Sequence, residues 1–315
     1  MSWCNISFQK QRLFLGSVLN SENCRKSSVS FWGVFVFIFF LGGCSLLQTK
    51  PKVVTLETPL RLEMKSVMGR EEIMRHHFDS FTESHESNQI RNQKDETVDF
   101  TTQTIAKNVG PDKSVTYEVK VIKKDGPVEL HDLAYPEPGE VLEMIIGPTA
   151  QVFKAGDYPE QSVFFIPPIS IPYDLVKKGD TWEMEHDWVS DSSGLPLTLD
   201  LVSILKEFYS CGNSDTCAEI EISGEVFMAK GTLQSGTFKS TMTGRLLFAV
   251  NAGMVVWADM RSQENLKGPE SSVAVQSCLV SELESPKEYH WPSIKDPMCQ
   301  PKESLGPSLP GFGSQ

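Results

Sequence analysis

The sequence predicts a mainly β protein, an exported domain built on a curved antiparallel sheet, half-barrel or clam-like, followed by an irregular proline-rich tail. Three observations carry this prediction. Beyond residue 60 the apolar residues recur mostly with period two. Turn signals such as Asp125-Gly126 and Asn251-Ala252-Gly253 interrupt the runs at short spacing. No long stretch keeps a clean helical period, and many short strands joined by tight turns imply an antiparallel β architecture.

Taken in order, Leu60, Leu62 and Met64 alternate with Arg61 and Glu63 as a first strand-like run. Residues Glu71 to Ser84 match the helix and strand templates about equally. Val115, Tyr117, Val119 and Val121 alternate with Thr116, Glu118, Lys120 and Ile122 before the Asp125-Gly126 turn. Leu197, Leu199 and Leu201 continue the pattern. Arg245 to Val250, a turn at Asn251-Ala252-Gly253, and Met254 to Trp257 read as a hairpin. Two similar strand–turn–strand units, Val141 to Asp157 and Arg245 to Asp259, raise the possibility of an internal repeat, with two like halves meeting near 175–195. From Ser285 onward Pro286, Pro292, Pro297, Pro301, Pro307 and Pro310 prevent regular structure. The expected organisation is therefore a leader at 1–43, a tether at 44–59, a β-rich domain at 60–284 and an irregular tail at 285–315.

The leader is an address. Arg25 and Lys26 form a positive flank, and Phe31 to Leu41 is an uninterrupted apolar run. It fits the hydrophobic core of a secretory signal and falls short of the eighteen or more residues that a spanning helix needs. Leu41-Gly42-Gly43-Cys44 follows directly and resembles the lipobox of bacterial lipoproteins. That resemblance implies a diacylglyceryl group on the Cys44 thiol, signal-peptidase cleavage before Cys44 and acylation of the new amino group. Several acyl chains anchor firmly where one holds only reversibly, since each buried methylene contributes about 0.8 kcal/mol. The alternative is an uncleaved membrane anchor. Ser45 rather than Asp follows the cysteine, which implies the outer membrane over the inner one, on its periplasmic face or the cell surface. The segment before Arg25 is long for the positive flank of a leader, which leaves the true start open between Met1 and a downstream residue. The tether of fifteen residues from Ser45 would reach about 50 Å at roughly 3.3 Å each.

Removing Lys10, Arg12, Glu22, Arg25 and Lys26 with the leader leaves 25 of the 29 basic and 40 of the 41 acidic residues, a net charge of −15. Phosphate backbones and anionic headgroups repel such a surface, so no nucleic-acid partner is expected. Besides Cys44, the mature chain holds Cys211, Cys217, Cys278 and Cys299, an even number that suits an oxidising compartment. Cys211-Gly-Asn-Ser-Asp-Thr-Cys217 places turn formers between two strand-like runs. A disulfide there would contribute roughly 2–2.5 kcal/mol by loop entropy. Zinc would need a C-x-x-C pair or nearby histidines, which are missing. Cys278 and Cys299 are the other expected disulfide cysteines, whether or not with each other.

The middle of the chain runs from Ala134-Tyr135-Pro136 through Phe164-Phe165-Ile166-Pro167-Pro168 to Lys178-Gly179-Asp180-Thr181-Trp182. An apolar stretch, proline and Gly-Asp-Thr-Trp, followed by strands with glycine-rich turns over 178–283, resembles exported bacterial lipoproteins of LolA-like half-barrel build. The resemblance implies a curved sheet that holds lipid or lipopeptide acyl chains in its concave face.

Several constellations invite chemistry. In Thr181 to Trp188, a strand puts Trp182, Met184, His186 and Trp188 on one face, and Glu183, Glu185 and Asp187 on the other. The first set reads as an aromatic and thioether wall for an apolar ligand, with His186 as polar reader, or else as a core face with its histidine satisfied at the margin. Phe248, Val250, Val255 and Trp257 are candidate strands opposite. The three acids fit calcium less well than a solvated face. His76 and His77 point apart in either secondary structure, and His85 has no spacing to join them, so no metal site is expected. Ser203-Ile204-Leu205-Lys206 matches S-x-x-K, but that motif must open a helix, whereas here it lies in a strand-like run. No other catalytic template is present. The sequence thus points first to a non-enzymatic, envelope-anchored lipoprotein without cofactor, binding a lipid or other hydrophobic ligand in a β-sheet cavity. The alternative is a structural module that holds an envelope protein partner, its sheet filled by its own side chains. An enzyme comes third.

Overall fold

The computed structural model describes residues 52–86, 89–190, 194–212, 215–229, 237–268, 271–287 and 289, all within the unit 48–315. Cys44 with its lipobox, and Cys299, lie outside the described residues.

Eleven antiparallel strands form one sheet: β1 Glu71–Glu86, β2 Gln89–Val109, β3 Val115–Asp125, β4 Leu142–Ile146, β5 Val152–Ala155, β6 Thr181–Val189, β7 Pro196–Gly212, β8 Asp215–Met228, β9 Thr237–Ala249, β10 Met254–Lys267 and β11 Ser271–Ser285. Their spatial order is β5-β4-β3-β2-β1-β11-β10-β9-β8-β7-β6. The fold is therefore two meanders, β1 to β5 and β6 to β11, joined where the first strand pairs with the last. Glu71–Ser84, ambiguous in sequence, is strand β1. The two units that looked alike are both hairpins, β4–β5 in the first meander and β9–β10 in the second, within one continuous sheet.

Alternation along the strands puts most buried apolar residues on one face. Val98, Phe100, Val121 and Leu142 lie there in the first meander, and Leu199, Leu201, Ile220, Ile222, Leu246 and Phe248 in the second. The 3₁₀ turn Val163–Phe165 packs against both β5 and β6, the two edges of the sheet. The sheet is thus curled toward its apolar face, which is the inner one, and is not closed by hydrogen bonds between its edges. The opposite face carries ion pairs such as Lys154–Glu143 and Lys206–Glu221, at 2.8 and 2.9 Å.

Two irregular segments fill one end of the inner face. Leu60 forms an isolated bridge with Val176, while Leu62, Ile169, Ile171 and Val176 are buried against Leu205, Ile220 and Phe248. Leu60, Leu62 and Met64 do alternate as read from sequence, but they form no strand, because the segment crosses the inner face where no neighbouring strand runs alongside. The expected tether is also partly docked: Val53 bridges Tyr209, and the Val54 amide donates to the Phe208 carbonyl (2.9 Å).

At the same end, Cys211 and Cys217 form the expected disulfide across the β7–β8 turn, with Cα atoms 5.6 Å apart. Cys278 is disulfide-bonded as well. Beside Cys217, buried Asp215 joins two hairpins. Its carboxylate accepts from the amides of Thr216, Asn251 and Ala252 at 2.7, 2.9 and 3.0 Å, and from the Tyr289 hydroxyl at 3.3 Å. These charge-assisted bonds satisfy amides of the β9–β10 turn that no strand reaches. Asp215→Ala should therefore lower unfolding free energy by roughly 3 kcal/mol without changing the denaturant slope, as measured by urea titration.

Candidate functional site

Strand β6 shows the alternation its sequence predicted. Trp182, Met184, His186 and Trp188 are half-buried on the inner face, and Glu183, Glu185 and Asp187 are exposed on the outer one. Asp187 accepts from the Thr198 hydroxyl (2.6 Å). The Trp182 indole donates to the Ser170 carbonyl (3.1 Å), which fixes this ring against the 166–176 segment. His186 is different: its Nε2 is buried and has no hydrogen-bond partner, and burial lowers its pKa. A neutral imidazole with an unmet nitrogen lies among apolar side chains, a cost a polar ligand atom or water would remove.

Of the expected opposing residues, Phe248, Val250 and Val255 share the cluster of the β6 wall. Trp257 does not. A bulge between Val255 and Trp257 shifts the register of β10 and sends the indole to the outer face. There it packs with Leu247, Ala249 and the Cys211–Cys217 disulfide, under the Arg245 guanidinium at 5.5 Å. Next to it, Ile204 and Ile222 together with Glu221, Arg245, Asp259 and Arg261 line an open cleft of about 370 Å³.

The register carries the β6 wall across the sheet in rungs. Met184 pairs with Leu201, and the rung continues through Gly224 to Met242, then Ser262, Ser277 and Ser80. Gly224 is required there, because a Cβ would lie 2.0 Å from the Asp200 carbonyl oxygen. The next rung links His186, Leu199, Val226, Ser240, Glu264 and Val275. Met228, Phe238, Met242, Val273 and Val275 are half-buried, in contrast to Leu205, Ile220 and Phe248 at the other end, which are fully buried. Sequence analysis missed Met242, Ser262, Glu264 and Ser277. The period-two signal of Met260, Ser262, Glu264 and Leu266 was present, but polar residues at half of those positions concealed an inner face.

His76, His77 and His85 lie apart, as their spacing predicted. His76 is buried inside, 1% exposed, stacked on Phe100 and within 2.8 Å of the Ser281 hydroxyl and 3.0 Å of the Thr102 hydroxyl. Burial lowers its pKa to about 3, and raises that of the neighbouring Tyr135 to about 12. His77 faces outward to Asp99 (2.9 Å), and His85 lies 3.8 Å from Glu83. Among the described residues, no group of three His, Cys, Asp or Glu side chains is placed to hold a metal ion. Ser203 is buried on the inner face with its hydroxyl unpartnered, whereas Lys206 pairs with Glu221 outside, so strand geometry separates the S-x-x-K pair. No helix among the described residues is long and apolar enough to cross a membrane. No protein-family model matches the chain, and no curated protein matches it in sequence.

The buried His76 sets a pH dependence. Its folded pKa, about 3, lies below the ordinary 6.5, so as pH falls through that window the unfolded chain takes up a proton that the folded one refuses. Stability should be full above about 6.5 and fall by roughly 1.4 kcal/mol per pH unit below it. Urea unfolding between pH 7 and 5 should show this slope in wild type and a shallower one in His76→Gln.

Proposed function

We propose that this protein is an envelope lipoprotein, anchored through lipid on Cys44, that binds a lipid or other hydrophobic ligand against the inner face of its curled sheet. The observation that supports this reading is the contrast between the two ends of that face. One end is filled by Leu62, Ile169, Ile171 and Val176. The other leaves Met184, Trp188, Met228, Phe238 and Met242 half-buried, with the unmet His186 nitrogen among them. Tryptophan and methionine offer large polarizable surface that adapts to an acyl chain. The open, curled antiparallel sheet also agrees with the half-barrel build implied by the lipoprotein resemblance. The expected site is the outer membrane, facing the periplasm or the cell surface, with the membrane as partner through the anchor and no nucleic acid.

The filled end favours a second reading, in which the domain is an interaction module for an envelope protein and holds no ligand. Trp188 separates the two. In a ligand groove, Trp188→Ala should weaken binding of a fluorescent fatty-acyl probe several-fold and cost under about 2 kcal/mol of stability. In closed core it should cost about 3–5 kcal/mol, and wild type should bind no probe. Native mass spectrometry of the detergent-extracted protein should reveal co-purifying lipid. Anchoring has its own test: Cys44→Ala should abolish metabolic lipid labelling, and equal labelling of the variant would refute the lipobox.

A further inference from the structure

The inner face changes chemistry across its strands. On β6 to β9 the first rung carries Met184, Leu201 and Met242, and the second carries Leu199 and Val226 between His186 at the edge and buried Ser240 beside β10. From β10 to β1 the same rungs carry Ser262, Ser277 and Ser80, and then Glu264 and Thr82, with Val275 the one apolar interruption. A core that served only stability would have no use for such a row, since each polar group brought inside loses water and needs a partner. The hydroxyls of Ser262 and Ser277 satisfy one another at 2.7 Å.

Glu264 is the exception. Its closest polar contact is the Ser262 hydroxyl, at 3.3 Å, and among the described residues no cationic side chain pairs with it. The other charges on this part of the inner face cancel: Lys94, at the far end of the Glu264 rung, pairs with Glu96 at 2.7 Å. His186, at the opposite end of the rung, is held neutral by burial. Burial also pushes the Glu264 carboxyl above the usual carboxylate range, the response of an acid that lacks a counter-charge. Among the described residues, the interior thus offers a largely apolar wall on one side and, at Glu264, an acid without a counter-charge among hydroxyls on the other.

We propose that the curled sheet takes an amphiphile with an ammonium head, its acyl chain lying along Met184, Trp188 and Met242 and its head against Glu264, Ser262 and Ser277. This rests on the ligand-binding reading above and adds the sign of the head. An ammonium restores a charge-assisted hydrogen bond to the carboxylate. A phosphate or carboxylate head without an amine would bring like charge to a site that already lacks compensation.

The test uses the full chain in the membranes of the cells that make it. Three photoactivatable dodecyl probes with ammonium, carboxylate and maltoside heads are crosslinked to wild type and Glu264→Gln, and labelled peptides are mapped. Comparing the two proteins with each probe cancels differences in how the probes enter the membrane. The ammonium probe should label β6 to β9 peptides of wild type at least fivefold more than those of Glu264→Gln. The maltoside probe should label both alike, which also checks that the variant is folded. Ammonium labelling that is unchanged in the variant, or a carboxylate probe that labels wild type as strongly as the variant, would overturn the ammonium assignment while leaving the binding reading intact. Absence of inner-face labelling by all three probes would overturn the binding reading itself.

Discussion

The pairing of β1 with β11 is the constraint on which everything else depends. Every other neighbour pair in the sheet joins strands consecutive in sequence, so each forms through a local connection, the longest being residues 126–141 between β3 and β4. The β1–β11 ladder, from Ile73↔Ser285 to Glu86↔Ser271, closes a loop of about two hundred residues. Without it there would be two meanders, each with an unpaired edge and half an inner face. With it, His76 meets Ser281, and Phe78 and Leu279 join the cluster around Phe100. Arg75 and Glu282 pair across the same ladder on the outer face. Such long-range pairing is entropically expensive and forms slowly, and its length offsets the cost with a continuous row of backbone hydrogen bonds.

Curling follows from the two edges. β5 has four residues and β6 nine, so their lengths do not match. The chain between them, 156–180, occupies the gap instead: the Val189 amide donates to the Gln161 carbonyl at the β6 edge (2.7 Å), and Phe164 packs on Leu142 and Val152 near the other. Both edges are thus covered by irregular chain, which blunts the tendency of open strands to pair with another molecule. Exposed Glu183, Glu185 and Asp187 on the outer side of β6 add charge at that edge.

The sequence made the strand type and several turns legible because one face of each strand is buried and the other wet. The β9–β10 hairpin, the Cys211–Cys217 turn and the β6 alternation were readable for that reason. What was not readable depends on non-local pairing. Most of β2 before Val98 is exposed and polar, and its strand form is imposed by β1. Leu60 to Met64 has the period of a strand, yet it has no ladder, because no strand runs beside it. Trp257 left the wall through a single bulge, a one-residue insertion whose effect on facing is total and whose trace in the sequence is nil. The polar members of the inner rungs were hidden for a related reason: period-two reading assumes that inside means apolar, and at Ser262, Ser277 and Glu264 the inside is polar.

That exception links architecture to function. Glycine at 224 lets Leu201 press against β8, and Met260 lies over Gly244, where a Cβ would fall 2.1 Å from its sulfur. On the apolar side, then, backbone and side chain approach as closely as in a packed core. On the polar side Ser262 and Glu264 are only half-buried, and among the described residues the segments that fill the inner face pack at the opposite end of the sheet. A sheet designed only to be a rigid platform gains nothing from leaving soft, half-buried methionines beside an uncompensated carboxylate. A sheet that exchanges an amphiphilic ligand gains from both, because methionine repacks at little cost when the ligand leaves and the carboxyl regains solvent or a proton.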